Sequence, residues 1–335
     1  MNSIRIFLFP DVGPEEQACI QSCIWELKTS ISVQEVKVGP TEKGFFKKNQ
    51  ITESAWIISR DWQRALRYLS AGSAKSKILV SVLSTQVPKV SLWETWFHSL
   101  APVLPAHIKL LAHSPLSYRF LKELAGMPDL QVEQLPFPAP PLSIKKTDMP
   151  FTVGAYCSFV PNNNLHFFLT IGHYLAQKDR TIQLKLWGTG PLSEHLRQLS
   201  KDLGISEQVH IIPTLQFFEP ESCDVALYFP QKNDHFSSLL ICASVGAVPI
   251  CGNISGIENY VRDSVNGFVF KQEETRSIAE LILTLKNRPD FCREIAARFQ
   301  REVMKKFSGN QLSVHYLNVL TGNNYVTQHY SRHAL

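Results

Sequence analysis

Six residues near the middle of the chain, Pro136-Phe137-Pro138-Ala139-Pro140-Pro141, constrain its fold more than any other feature. Proline locks its own backbone angle and donates no amide hydrogen bond. Such a density of it cannot lie in a central strand or a helix interior. With the polar stretch that follows to Asp148, the segment marks a domain boundary, and 335 residues suffice for two α/β domains with separate cores. The expected division is residues 1–145, residues 146–320 and a polar tail at 321–335.

On the N-terminal side, the apolar run Ile4 to Phe9 reads as a strand. The helix after it opens with Pro14, Glu15 and Glu16 and carries Ile20, Cys23, Ile24 and Leu27 on one face. Its acidic first turn suits the positive end of the helix dipole. Further strands are predicted at Ala55 to Ser59, Lys77 to Leu83, Ile108 to Ala112 and Leu130 to Leu135. A helix is predicted from Ser114 to Gly126, with Ser114 as its cap. Strands alternating with helical spacing imply a parallel sheet.

The pattern restarts beyond the prolines with strands at Phe151 to Cys157, Thr181 to Trp187, Val209 to Ile212, Val225 to Phe229 and Val248 to Cys251. Helices fill the intervals, including one from Leu165 to Ala176 and one opened by Gly188-Thr189-Gly190-Pro191. This is a second doubly wound arrangement. A late amphipathic helix through Leu285 stops at Pro289, and helical sequence continues to Leu320.

Several function classes are disfavoured. No stretch nears the roughly 18 apolar residues of a spanning helix, and MNSIRIFLFPDVG lacks a signal-peptide cleavage site, so the expected location is cytoplasmic. The net charge of +5 is spread rather than gathered into a stripe, which argues against nucleic acid. Phe45-Phe46-Lys47-Lys48 and Lys145-Lys146 are candidates for peripheral contact with an anionic membrane, although such clusters are more often solvated faces. Seven cysteines show neither zinc spacing nor a disulfide framework and read as buried thiols; Cys19 and Cys23, one helical turn apart, have no partner pair.

Two segments can carry chemistry. The turn Gly188-Thr189-Gly190 lets backbone approach a ligand, or simply closes a tight corner. It lacks the third glycine of the dinucleotide fingerprint, which disfavours hydride transfer. The run from Asp224 through Lys232, Asp234 and His235 to Leu240 brings a buried strand to a polar loop and a helix start. There the amides of Ser237, Ser238 and Leu239 would face a diphosphate, with Lys232 adding charge.

This half resembles the donor domain of the family 4 retaining glycosyltransferases. The likeness runs through Gly188-Thr189-Gly190-Pro191-Leu192, Leu203-Gly204-Ile205, Asp224 to Phe270, Gly246-Ala-Val-Pro249-Ile250, Ser255-Gly256-Ile257-Glu258 and Asn266-Gly267-Phe268-Val269. In the first half it is an outline: a strand into Asp11-Val12-Gly13-Pro14-Glu15, where the family has a glycine-rich loop, and a Pro136-Phe137-Pro138 exit. The resemblance implies a GT-B fold, two Rossmann-like domains facing across a cleft. The first would be the acceptor side and the second would bind the nucleotide-sugar donor. A C-terminal helix would return to the first domain, and no metal or other cofactor would be needed.

Residue by residue, the resemblance implies Asp234 at the donor sugar in place of a glutamate and Cys242 or Ile241 at the ribose in place of a second one. Ser158 and Asn163 stand where an arginine and a lysine would neutralise the leaving diphosphate, so Lys232 is the candidate for compensation. Losing a transition-state charge contact typically costs about 3–4 kcal/mol. Glu258 falls in the family's Gly-x-x-Glu turn, as a donor contact or a cap, whereas His98, His107 and His113 match no motif. The sequence therefore predicts a glycosyltransferase acting on a glycan, lipid-linked or protein acceptor in envelope or surface glycan synthesis. The alternative is a catalytically degenerate relative serving as a binding or scaffolding partner. A sugar-nucleotide epimerase would need an acid and base pair that the sequence does not offer.

Overall fold

The computed structural model describes residues 3–8, 14–30, 32–37, 54–59, 78–82, 108–114, 117–119, 121–122, 131–142, 149–213, 222–231, 236–271 and 274–321. Its first elements are β1 (Ser3–Leu8), α1 (Pro14–Ser30), β2 (Ser32–Lys37), β3 (Ser54–Ser59), β4 (Ile78–Val82), β5 (Ile108–Ala112) and β6 (Val132–Gln134). The strands form one six-stranded parallel sheet in the order β2-β1-β3-β4-β5-β6. Ala55, Trp56, Ile57 and Ile58 are all fully buried. Successive β3 side chains point to opposite faces, so both faces of the sheet are covered, as a parallel sheet requires.

The second series comprises β7 (Thr152–Tyr156), α2 (Leu165–Lys178), β8 (Gln183–Trp187), α3 (Ser193–Asp202), β9 (Val209–Ile212), β10 (Val225–Tyr228) and α4 (Ser237–Ser244). It continues through β11 (Val248–Gly252), β12 (Phe268–Phe270), α5 (Thr275–Asn287), α6 (Pro289–Phe307) and α7 (Gly309–Thr321). Here the strand order is β12-β11-β10-β7-β8-β9. One core contains Val153, Leu184, Leu186, Val225 and Ile250 from the strands together with Leu169 from α2 and Ile282 from α5. Pro289 ends α5 and supplies the first turn of α6, where its missing N–H costs nothing. Lys286 near the end of α5 pairs with Asp179 after α2, and this pairing holds the Asp179 carboxyl down at about 2.

The chain divides into two compact units, residues 1–12, 23–137 and 309–335 against residues 13–22 and 138–308. Against the expected division into 1–145 and 146–320, the second unit takes in residues 13–22 and begins at residue 138, and α7 belongs to the first unit. The reason for the last is the apolar face of α7. Leu312, Tyr316, Leu317 and Leu320 are buried, the Tyr316 ring lies 5.0 Å from that of Trp56, and its hydroxyl donates to the Pro136 carbonyl at 3.0 Å. The final tail, residues 322–335, lies outside the described residues.

His113 belongs to the same buried group. Trp56 Nε1 donates to Ser81 Oγ at 2.7 Å. His113 Nδ1–H donates to the Leu135 carbonyl at 3.0 Å, since a carbonyl only accepts, and this leaves Nε2 of the neutral ring to accept from the Ser81 hydroxyl 3.0 Å away. Stacked on Phe137 at 3.8 Å, His113 ties the proline segment to the first sheet. Its role is structural.

Candidate functional site

The chain enters the second sheet at β7, builds outward through β8 and β9, and then crosses back to β10 on the other side of β7. The crevice between the carboxyl ends of β7 and β10 is thus a topological switch point, where open α/β sheets bind ligands. A cavity opens there, lined by Tyr156, Cys157, Asn163, Asn164, Tyr228 and Pro230 among others.

Side chains lace its two walls together. Asn164 takes a left-handed backbone at φ 48° to start α2, a conformation asparagine tolerates better than most residues. Its Nδ2 donates to the Phe229 carbonyl at 2.9 Å, and its Oδ1 accepts from Gln231 Nε2 at 3.1 Å. The Gln231 amide in turn donates to the Asn162 carbonyl at 2.8 Å. Asn164 and Gln231 were not singled out from the sequence. Their signal was present in the Asn162-Asn163-Asn164 run, which ends one strand loop and precedes a strongly apolar helix.

The expected site residues fall into groups. Asp234 and Lys232 lie outside the described residues, as does Gly13. Asn163 spends its Nδ2 on the Ser158 carbonyl at 2.7 Å, so these two residues brace the loop after β7 and bring no cation to the crevice. Gly188 and Gly190 serve packing. A Cβ on Gly188 would overlap the Cys157 carbonyl, and one on Gly190 would press on the Phe159 backbone. The Phe159 amide donates to the Thr189 carbonyl at 2.8 Å, which fixes this close approach.

Ser237, Ser238 and Leu239 do open α4, but the Leu239 amide is committed to the Phe236 carbonyl at 3.0 Å. Ser237 and Ser238 occupy the first turn of α4, at the positive end of its helix dipole. Phe236 precedes them at φ 51°, and a bulky residue held there stores about 1–3 kcal/mol. Within the same unit, the Cys19 thiol lies 3.9 Å from the Ser237 carbonyl, so the start of α1 flanks that of α4. Neither Cys19 nor Cys23 is in a disulfide, and both are fully buried.

Cys242, aligned with the ribose carboxylate, is 2% exposed and packs in the core. Burial pushes its thiol well above the usual range, so it offers no charge to a hydroxyl donor. Glu258 is exposed, and its Oε2 accepts the Gly256 amide at 3.0 Å, which makes it the cap of a short turn. Asn266 is likewise a brace: it accepts from the Arg262 amide at 2.7 Å and donates to the Tyr260 carbonyl at 3.2 Å. Among the described residues there is no group of His, Cys, Asp and Glu that could hold a metal ion, and no helix is long and apolar enough to cross a membrane.

Comparison with known proteins agrees with this geometry. Residues 143–302 match the family "Glycosyl transferases group 1". The poly(ribitol-phosphate) alpha-N-acetylglucosaminyltransferase of Staphylococcus aureus (strain COL) is 19% identical over 172 residues, which cover 50% of this chain and 34% of that one. The chain thus spans about a third of the length of that relative. HepE of Anabaena, solved in complex with UDP and glucose, superposes with a TM-score of 0.67 at 14% identity, over 96% of this chain and 100% of that chain. A TarM variant from S. aureus, solved in complex with Fondaparinux, alpha-GlcNAc-glycerol and UDP, gives a TM-score of 0.65 at 12% identity, over 82% of this chain and 57% of that chain. The fold is GT-B.

Proposed function

We propose that this GT-B chain, whose residues 143–302 match the glycosyl transferases group 1 family, moves a sugar from a nucleoside diphosphate sugar to an acceptor hydroxyl in surface or envelope glycan assembly. The observation that carries the reading is the crevice at the switch point between β7 and β10, lying within the matched segment and followed by the amide end of α4. Those amides and Lys232 meet the negative charge that grows on the departing diphosphate. Asp234 accepts hydroxyls of the donor sugar. The bond from the anomeric carbon to the diphosphate breaks and the acceptor oxygen bonds to that carbon on the same face. The acceptor proton passes to the leaving phosphate oxygen, and the nucleoside diphosphate departs. No metal ion takes part in the proposed reaction, so turnover should persist in EDTA.

The acceptor class is a glycan, lipid-linked or protein hydroxyl. Leu142 and Met149, 59% and 54% exposed, bracket Lys145-Lys146 in sequence. That supports peripheral contact with an anionic membrane at its cytoplasmic face.

Calorimetric titration with UDP, GDP and their sugar conjugates tests the reading, with Asp234→Ala and Lys232→Ala beside the wild type. Micromolar binding corresponds to about 8 kcal/mol and is readily seen. Binding of one nucleotide, weakened by either substitution, is the expected result; no binding to any of them would sink the proposal. One observation favours the second reading, a degenerate partner protein: Asn163 is occupied by the Ser158 carbonyl where a cation would be expected. That reading expects nucleotide binding without release of nucleoside diphosphate.

A further inference from the structure

Phe236 gives way directly to the amide end of α4, yet it is an aromatic residue held in a left-handed conformation at φ 51°. Such a backbone persists only where its surroundings fix it. Here the ring does the fixing. It lies 6.3 Å from the Tyr228 ring and stacks on Tyr260 at 4.7 Å. Tyr260 stacks in turn on Phe307 at 4.8 Å. Gly256 leaves room for this arrangement, since a Cβ there would come within 3.0 Å of the Phe236 ring.

Both ends of the column bear on backbone. The Phe236 carbonyl accepts the Leu239 and Leu240 amides at 3.0 and 3.2 Å, so its twist sets the direction of the first turn of α4. At the far end the Phe307 carbonyl accepts the Ala139 amide at 2.5 Å, where residues 139 and 308 pair as the chain enters and leaves this unit. Tyr260 stands between the two ends, with its amide donating to the Ile257 carbonyl at 2.9 Å and its own carbonyl accepting from Asn266 Nδ2 at 3.2 Å.

We infer that the column Tyr228–Phe236–Tyr260–Phe307 positions the amide end of α4 for the donor diphosphate and ties it to the paired exit segments, with Tyr260 as its positioning residue. The inference rests on the donor reading proposed above. A displacement at Phe236 on nucleotide binding is passed through two stacked rings to the Ala139–Phe307 hydrogen bond. The same rings hold the first turn of α4 before any nucleotide arrives.

The test uses the full chain with Tyr260→Leu, Tyr260→Phe and Phe236→Leu, read by UDP calorimetry and by deuterium exchange at residues 236–244 and 137–141. Tyr260→Phe keeps the stack and should bind UDP as the wild type does. Tyr260→Leu should weaken UDP at least tenfold and speed exchange of the Leu239 and Leu240 amides. In the wild type UDP should slow Ala139 exchange, and Tyr260→Leu should abolish that slowing. If Tyr260→Leu does not fold, Phe236→Leu, which removes the stack from the other side, should give the same changes. UDP affinity and exchange both unchanged in the leucine variants would overturn the inference. A wild type that binds neither UDP nor GDP speaks against the donor reading instead, and exchange at Leu239 and Leu240 still decides whether the column holds α4.

Discussion

Asn164 does two things at once, and a substitution separates them. Its left-handed backbone starts α2, and its amide bridges the Phe229 carbonyl to Gln231 across the crevice. Asn164→Ala removes the buried hydrogen bonds to the Phe229 carbonyl and from Gln231 and keeps the backbone strain, at an expected cost of about 1–3 kcal/mol. Asn164→Gly relieves the strain and should cost less. Urea unfolding of the two variants ranks them, and the reverse order would show that the bridge matters little. Asp179 gives a second prediction at this scale. The hydrogen bond from Lys286, then those from Thr181, hold its carboxyl down at about 2, against about 3.9 in an unfolded chain. A depressed carboxyl contributes stability that is fully present above the unfolded value and is lost as pH falls from about 4 toward 2. Lys286→Met should flatten that part of the acid unfolding profile. An unchanged profile would mean that the pair adds nothing to folding.

At the scale of elements, the strands most apolar in sequence were the most legible. β5 and β9 begin and end where their apolar runs do, at Ile108–Ala112 and Val209–Ile212. β2 escaped notice because Ser32-Val-Gln-Glu-Val-Lys37 is a polar edge strand with one neighbour and an exposed Glu35 paired to Lys28 at 2.6 Å, so no apolar run announces it. β12 has only three residues, too few for a periodicity to show. The candidate site was legible in part, for a related reason. Sequence locates the loops that follow strands, but it does not say whether a glycine meets a ligand or another backbone. Gly190 meets backbone: a Cβ there would lie 2.5 Å from the Phe159 carbonyl. Gly190→Ala should therefore destabilise by about 1–3 kcal/mol while UDP affinity, measured where the variant remains folded, stays within about twofold. A variant of unchanged stability that had lost UDP binding would restore Gly190 to the ligand.

The whole molecule carries two six-stranded sheets, each with its own core, and this organisation has a thermodynamic consequence. The described contacts of the crevice, of α4 and of the aromatic column fall in the unit of residues 13–22 and 138–308. Trp56, His113 and Tyr316 fall in the other. Units with separate cores unfold as separate cooperative transitions wherever their mutual contacts are worth less than either core. Calorimetry should then resolve two transitions. A nucleotide bound to one unit stabilises that unit alone, by about 2.7 kcal/mol at a hundredfold excess over Kd. UDP should move one transition upward, and His113→Leu, which breaks the Ser81–His113–Leu135 chain of hydrogen bonds, should move only the other one down. If UDP raises both transitions together, donor binding is completed by groups from the first unit. If the two perturbations instead shift one common transition, the units unfold together and the boundary at the proline segment is a feature of the topology rather than of the energetics.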